Sequence, residues 1–399
     1  MTLEEYQLNA NSWLGGGVRR IVLQDSNIKI TQITTFCPDL IGPGPTQLYL
    51  IESDALILLD TGLPTDLAKD LFYRWRNGPI PREIDKLPPN YSEQQFLNGL
   101  KAAGYNCTDI DLIVISHGHP DHFLLANSIL SQCNASVSAH IRDTPAMCNP
   151  WGLLNMWFSR QQQMAATGMP KPWSGQPAVR EQLIRTFEVD LRNLAVTIQS
   201  PFIANGPLKV DGGPVKSVEV RHLPGHSAGS IGLIAGDGMG KALMSGDVLL
   251  NPITPHPDDL LAYLRTLEEL SHYNDIVLVL PGHGEVIRDL AARISFLQEH
   301  HRRRLELTYE NLITAKCVWD IAIMDGYFDA YLNPLQFNPL AGTEVLVHIE
   351  ILKMVEAVCR VDIKNEVHYF QNSGEPFQEV YGRVLELVRM TPTEAIMRY

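Results

Sequence analysis

Two rhythms of apolar residues run along the chain. Short β-branched runs, "IKITQITTF" from Ile28, "TQLYLIES" from Thr46 and "ALILLDTG" from Ala55, read as strands, with the turn-rich "CPDLIGPGP" between the first two. The stretch from Asp66 to Asn106 is more helical: "SEQQFLNGLKAAG" starts on Ser92, carries Glu93 and Gln94 in its first turn and stops at Gly104. "IDLIVIS", ending at Ser116, predicts a strand buried on both faces. Residues 123 to 139 predict a helix and then the strand "ASVSAH".

The alternation breaks over residues 145 to 215, a long and mostly helical passage containing "WGLLNMWFSRQQQMAATG", which a compact sandwich does not need and which is expected to form a cap. It resumes with "VKSVEVRHLPGH", "SIGLIAG", "KALMSGDVLL", the helix "PDDLLAYLRTLEELSHY" and the strand "IVLVLPGHG". Beyond Gly284 the pattern is helical to about Ile313, then helices surround a hairpin, "CRVDIKNEVHYFQ", centred on Lys364 and Asn365. A boundary is expected near Arg304, giving a domain over 1–304, with its cap at 145–215, and a second module over 305–399.

Composition narrows the function classes. With 32 Lys plus Arg against 45 Asp plus Glu, the chain of 399 residues carries a formal charge of −13 and is repelled by phosphate backbones, so nucleic acid is a poor partner. Its opening, "MTLEEYQLNANSW", lacks a basic n-region and an apolar h-region, and no apolar run approaches the roughly 20 residues a bilayer requires. A cytoplasmic protein without a membrane span is expected, with its six scattered cysteines reduced.

The chemistry is concentrated in "VISHGHPDHFLLA". Imidazole and carboxylate packed behind a strand suit a transition metal, because neutral His nitrogen and Asp oxygen match Zn²⁺ or Fe²⁺. An extended chain would project His117 and His119 to one side, and Pro120 in a first helical turn would swing Asp121 and His122 toward a neighbouring position. Three further strand ends beside glycine offer His226 in "LPGHSAGS", Asp247 in "LMSGDVLL" and His283 in "LPGHGEV". Singly each is a turn residue; together they fill out a ligand set.

In this order the residues resemble the metallo-β-lactamase-fold hydrolases, on the H-x-H-x-D-H run, the PGH histidines His226 and His283, the GD of Asp247 and the "LLDTG" of Asp60. The resemblance spans roughly residues 28 to 300 and implies an α/β (α+β) protein, an αββα sandwich with a dinuclear site at one edge of its two sheets. It implies that His117, His119 and His226 hold one divalent ion, Asp121, His122 and His283 the other, that Asp247 bridges both and that Asp60 orients ligands. Two ions, Zn²⁺ or alternatively Fe²⁺, would activate a bridging hydroxide as nucleophile, with Asp121 orienting it and carrying a proton toward the leaving group.

The C-terminal layout, after "SFLQEHHRRRLELTYENLI", loosely resembles the winged-helix-type tail of the β-lactamase-like protein 2 group. Leu250 stands where acyl-homoserine lactonases typically carry tyrosine, which moves the reading away from that lactonase. Trp151 and Trp157 recur at helical spacing in the cap and, with His256, are candidate substrate contacts. The expected function is hydrolysis of an acyl ester-type bond in a partly apolar small molecule, a thioester first, then a lactone or ester. A phosphodiesterase or ribonuclease is the alternative, a non-enzymatic metal-binding regulator the second, and a homodimer is compatible with either.

Overall fold

A computed structural model of the protein describes residues 3–10, 12–38, 44–69, 80–149, 164, 166–170, 195–329, 331–335, 338–364 and 366–390. The chain divides into two compact units, one of Met1–Leu153, Arg185–Pro255 and Tyr273–Leu290, the other of Leu154–Ile184, His256–His272 and Ala291–Tyr399.

In the first unit, β1 (Leu3–Asn9), β2 (Val18–Leu23), β3 (Ile28–Thr35), β4 (Thr46–Glu52), β5 (Leu56–Leu59), β6 (Leu112–Ile115) and β7 (Ser136–Ala139) form a seven-stranded sheet in chain order. It is antiparallel as far as β5 and parallel from β5 to β7. A second sheet has five strands in the order β12-β11-β10-β9-β8, from β8 (Gly206–Val210), β9 (Gly213–His222), β10 (Ile231–Ala235), β11 (Lys241–Gly246) and β12 (Ile276–Pro281). Apolar side chains of both sheets share one core, with Ile30, Tyr49, Ile57 and Val114 from the first and Leu208, Val220, Leu233, Met244 and Leu280 from the second.

The helices of this unit are α1 (Thr65–Lys69), α2 (Arg82–Asp85), α3 (Tyr91–Ala103), α4 (Pro120–Phe123), α5 (Ala126–Leu130) and α6 (Thr144–Cys148). As its sequence predicts, α3 ends at Gly104, which takes the left-handed conformation that lets a helix stop. It lies against β3 so closely that a Cβ at Gly99 would stand 2.5 Å from Ile33.

Three places bear on the sequence reading. The N-terminal strands β1 and β2 carry no expected signal, and β1 shows why: as an edge strand it leaves Tyr6 and Leu8 exposed, so no alternating apolar face is required of it. Of the passage 145–215, expected to be mostly helical, residues 150–163, 165 and 171–194 lie outside the described residues, and its described end contains β8 and the start of β9. β8 is also an edge strand, burying Leu208 alone, too little alternation to mark it. Finally, the position near Arg304 lies within the 21-residue helix Leu290–Glu310, and one of the several breaks between the two interleaved units falls at the start of that helix, between Leu290 and Ala291.

The second unit contains α7 (Leu260–Leu270), α8 (Leu290–Glu310), β13 (Lys316–Cys317), α9 (Val318–Ala322), α10 (Pro339–Met354), the hairpin of β14 (Val358–Ile363) and β15 (Glu366–Gln371), and α11 (Phe377–Met390). Its three strands run in the order β13-β15-β14. Asn338 caps α10 by accepting from the Ala341 N–H, and the helix is buried almost throughout from Ala341 to Leu352. Arg265 ties α7 to the end of α11 by donating to the carbonyls of Val388 and Arg389. No helix among the described residues is long and apolar enough to cross a membrane.

Candidate metal centre

Four strand ends deliver the chemistry. Beyond β6 come His117 and His119, the latter still extended at the N-cap of α4 with Pro120 at its first position, which turns Asp121 and His122 back into the site. The loops after β9, β11 and β12 deliver His226, Asp247 and His283. Backbone hydrogen bonds hold these loops together: the Ile231 N–H donates to the Ser116 carbonyl, Gly282 N–H to Gly246 and Gln47 N–H to Gly282. Gly282 must be glycine, since a Cβ there would stand 2.4 Å from Asp247 Oδ1.

All seven expected side chains are brought together, in overlapping groups of three. His117 Nε2 lies 2.9 Å from His119 Nδ1, and His226 Nε2 lies 3.2 and 3.0 Å from those two atoms. Alongside, His283 Nε2 is 3.2 Å from His122 Nε2 and 3.3 Å from Asp121 Oδ2. Asp247 touches both groups, with Oδ1 at 3.5 Å from His122 Nε2 and Oδ2 at 3.7 Å from both His226 Nε2 and His283 Nε2.

The proton inventory shows where lone pairs point. Asp60 only accepts, taking the Ser116 N–H at 2.7 Å, the Ser116 hydroxyl at 2.8 Å and His122 Nδ1–H at 2.8 Å. The Ser116 hydroxyl, having donated to Asp60, accepts from His117 Nδ1 at 3.0 Å. His283 Nδ1 faces the carbonyls of Gly44 and Pro45 at 3.0 and 3.1 Å. In its neutral form, each of these rings therefore turns a bare Nε2 into the site. Asp60 holds this post in the left-handed region, at φ 62°, a conformation that aspartate tolerates better than most residues.

Electrostatics separate the two groups. Burial, reinforced by the neighbouring rings of His122, His119 and His226, holds the pKa of His117 well below the usual imidazole range. Burial opposes charge on His122 too, yet Asp247, Asp60 and Asp121 together push its pKa well above that range. The same opposition ends with His283 raised, by Asp247 and Asp121. Desolvation of the partly buried Asp121 and the buried Asp247 favours the acid form, but the facing histidines hold both carboxyls below their ordinary values.

The donor set fits divalent ions. Three nitrogens about 3 Å apart have a centre roughly 1.7 Å from each, so an ion at the usual ~2.0–2.1 Å reaches all of them. Asp247 Oδ1 is buried and has no hydrogen-bond partner among the described residues, an orphan a cation would satisfy.

Some neighbours escaped sequence reasoning. Asp143, at the N-cap of α6, accepts from the N–H groups of Gly118 and Gly229 and from the Ser227 hydroxyl. Its signal was available: like Asp60 and Asp247, it is an acidic residue shortly past a strand. Cys37, buried at the same site with its sulfur 3.8 Å from Asp121 Oδ2, carried no signal. Of the candidate substrate contacts, Trp151 and Trp157 lie outside the described residues. His256 is in the second unit, with Nδ1 3.3 Å from Glu344 Oε2 and Nε2 3.1 Å from the Leu340 carbonyl.

The second unit gathers histidines as well. Nitrogens of His300 and His301 and an oxygen of Glu344 lie within 4.8 Å of one another. His348 Nδ1 donates to the Glu344 carbonyl at 2.6 Å, and its Nε2 is 3.2 Å from His301 Nδ1. Arg304 Nη1 stands 3.4 Å from Glu344 Oε1, so the one carboxylate of this group already faces a cation.

Comparison with known proteins gives a consistent answer. The profile of the Metallo-beta-lactamase superfamily matches residues 41–283. The probable metallo-hydrolase YqjP of Bacillus subtilis (strain 168) is 25% identical over 348 residues, 83% of this chain and 95% of that protein. A beta-lactamase-like protein 2 homolog of Drosophila melanogaster is 32% identical over 88 residues, which are 22% of this chain and 29% of that protein. Among solved structures, the metallo-beta-lactamase family protein TTHA1429 of Thermus thermophilus superposes with a TM-score of 0.64 at 20% identity, covering 86% of this chain and 98% of its own.

Proposed function

Because the chain belongs to the metallo-β-lactamase superfamily, we propose that it is a hydrolase using two divalent metal ions to cleave an acyl ester-type bond of a small molecule, a thioester before a lactone or simple ester. The observation that carries this reading is the convergence of five imidazoles and two carboxylates at strand ends of both sheets, with Asp247 touching both groups and its Oδ1 orphaned. His117, His119 and His226 would hold one ion, Asp121, His122 and His283 the other, and Asp247 both; zinc and iron(II) both suit these donors. Bound there, the ions would supply an activated water near neutral pH and polarise the acyl oxygen.

The residues divide the remaining work. Asp60 fixes His122 directly and His117 through Ser116, so that ring rotation does not spoil the donor geometry. Asp121 lies at the more exposed margin of its group and stays ionised, which suits it to accept a hydrogen bond from the attacking water and orient it. A carboxyl held this low is ionised near neutral pH and has no proton of its own to give the leaving group. A thiol of ordinary pKa about 8.5 departs as thiolate without one, whereas an alkoxide needs a strong acid. This is why the thioester stands first.

Charge supports the acyl substrate over a phosphodiester. Within the basic run His300–Arg304, Arg302 pairs with Glu299 and Glu306, and Arg304 with Glu344. α10, the helix a nucleic-acid reading would use, is largely buried and carries Glu344 and Glu350. All six cysteines are free, which supports a reducing, cytoplasmic setting.

Metal-loaded protein offered acyl-CoA thioesters, lactones and a phosphodiester should cleave the thioesters, and an Asp247→Ala variant should not. Cleavage of the phosphodiester alone would replace the acyl reading with the nucleolytic one. A metal-loaded protein inert on every substrate would favour the regulator.

A further inference from the structure

Asp143 occupies the N-cap of α6 but does not cap it, since its side chain accepts no hydrogen bond from that helix. An aspartate at this position ordinarily satisfies one of the first N–H groups of its helix. Here Oδ2 takes the Gly118 N–H at 2.8 Å and the Ser227 hydroxyl at 2.6 Å, while Oδ1 takes the Gly229 N–H at 2.7 Å. Gly118 is the residue between His117 and His119, and Ser227 follows His226. The carboxylate thus joins two loops, more than 100 residues apart in sequence, that together carry one complete three-histidine group.

We infer that Asp143 is a positioning residue that clasps the His117–His119 turn to the His226 loop and so sets the metal affinity of the three-histidine site alone. The inference rests on the metal-binding reading of that site. The second group has supports outside the clasp, the carbonyls of Gly44 and Pro45 on His283 and Asp60 on His122, and Asp60 reaches the first group only at His117, through Ser116. An independent sign of the fit comes from Gly229: a Cβ there would meet Asp143 Cγ and Oδ1 at 2.6 Å, so the loop approaches the carboxylate closer than any other residue allows. Both oxygens are occupied by donors, and Asp143 is buried. Replacing one oxygen by an amide would put N–H against N–H or hydroxyl, in the same volume.

Metal content and affinity, read by elemental analysis and by competition with a chelator, test this without any substrate. Wild-type protein should hold about two ions per chain. Asp143→Asn should lose one of them, or bind it at least about tenfold more weakly, the range expected when an outer support is removed. Combining it with His283→Ala, which disables the other group, should leave close to none. Ser227→Ala, removing one donor of the clasp, should weaken the same ion by less, which keeps the test open should Asp143→Asn fail to fold.

Two ions of unchanged affinity in both Asp143→Asn and Ser227→Ala would overturn the clasp while leaving the metal reading intact. Equal weakening of both ions, together with a lower melting temperature of the metal-free variant, would reduce Asp143 to a general structural residue. A wild-type protein that binds no divalent metal would overturn both readings at once.

Discussion

The first unit gathers His117, His119, His122, His226 and His283 around the carboxylates of Asp121 and Asp247, while the second gathers His256, His300, His301 and His348 around Glu344. Both clusters are largely buried and both contain an orphaned polar atom, Asp247 Oδ1 in one and His301 Nε2 in the other. Their charges differ. In the first, carboxylates outweigh cations and raise His122 and His283. In the second, burial and Arg304 hold His300 and His348 down to about 4, and burial with the rings of His348 and His300 holds His301 well below its ordinary value. Crowded imidazoles are thus common to both clusters, and the charge around them is what differs. What distinguishes the first cluster is unpaired negative charge, which two cations would neutralise, whereas Glu344 is already met by Arg304.

The largest effect that could break this contrast is on activity. Asp247→Ala removes the carboxylate shared by both groups, and hydrolysis should fall by far more than the 10- to 100-fold typical of an outer support. Residual turnover near wild type in a steady-state assay would show that the shared carboxylate is not needed. Next comes Glu344→Ala, which strands the buried Arg304 guanidinium and should cost about 3–5 kcal/mol in urea denaturation while leaving metal content untouched. Asp60→Asn should lower metal affinity about 10- to 100-fold by releasing His122 and Ser116, measured by chelator competition.

Acid should separate the clusters further. His300 and His348 have folded pKa values near 4 against 6.5 when unfolded, so between those values the unfolded chain binds more protons. Stability from these groups is intact above about pH 6.5 and lost as pH falls toward 4, by roughly 1–2 kcal/mol at pH 5 for the fully buried His348. Metal-free His122 and His283, raised instead, work in the opposite sense: their stabilisation is full below 6.5 and fades as pH rises. Melting curves of metal-free protein across this range should show a transition that acid weakens in the Glu344-bearing unit. The smallest effect expected is for Arg302→Ala, a partly exposed arginine paired with Glu299 and Glu306 on its own helix, at about 0.5 kcal/mol or less.

The two regions were also unequally legible in the sequence. The seven side chains of the first cluster each follow a strongly apolar strand and stand beside glycine or in the H-x-H-x-D-H run, so spacing and strand pattern identified them together. Asp60, in "LLDTG", was readable by nearly the same rule, whereas Asp143 shares only its place shortly past a strand and has no glycine beside it. Nothing in the linear text linked Cys37 to Asp121, because the contact joins residues 84 apart through the sheet. Edge strands were hardest: β1 and β8 bury too little to leave a period-2 signature. In the second unit, "HHRRR" reads as a basic face only until the fold supplies Glu344, Glu299 and Glu306. Periodicity reports which side of an element is buried, and it cannot report which distant carboxylate will meet a charge.

The most direct test of the central claim is the number of divalent ions per chain, by elemental mass spectrometry, in wild type, Asp247→Ala and Glu344→Gln. The contrast between the clusters predicts about two ions in wild type, a clear loss in Asp247→Ala and no change in Glu344→Gln. A third ion that disappears with Glu344→Gln, or metal that survives Asp247→Ala at wild-type affinity, would contradict it.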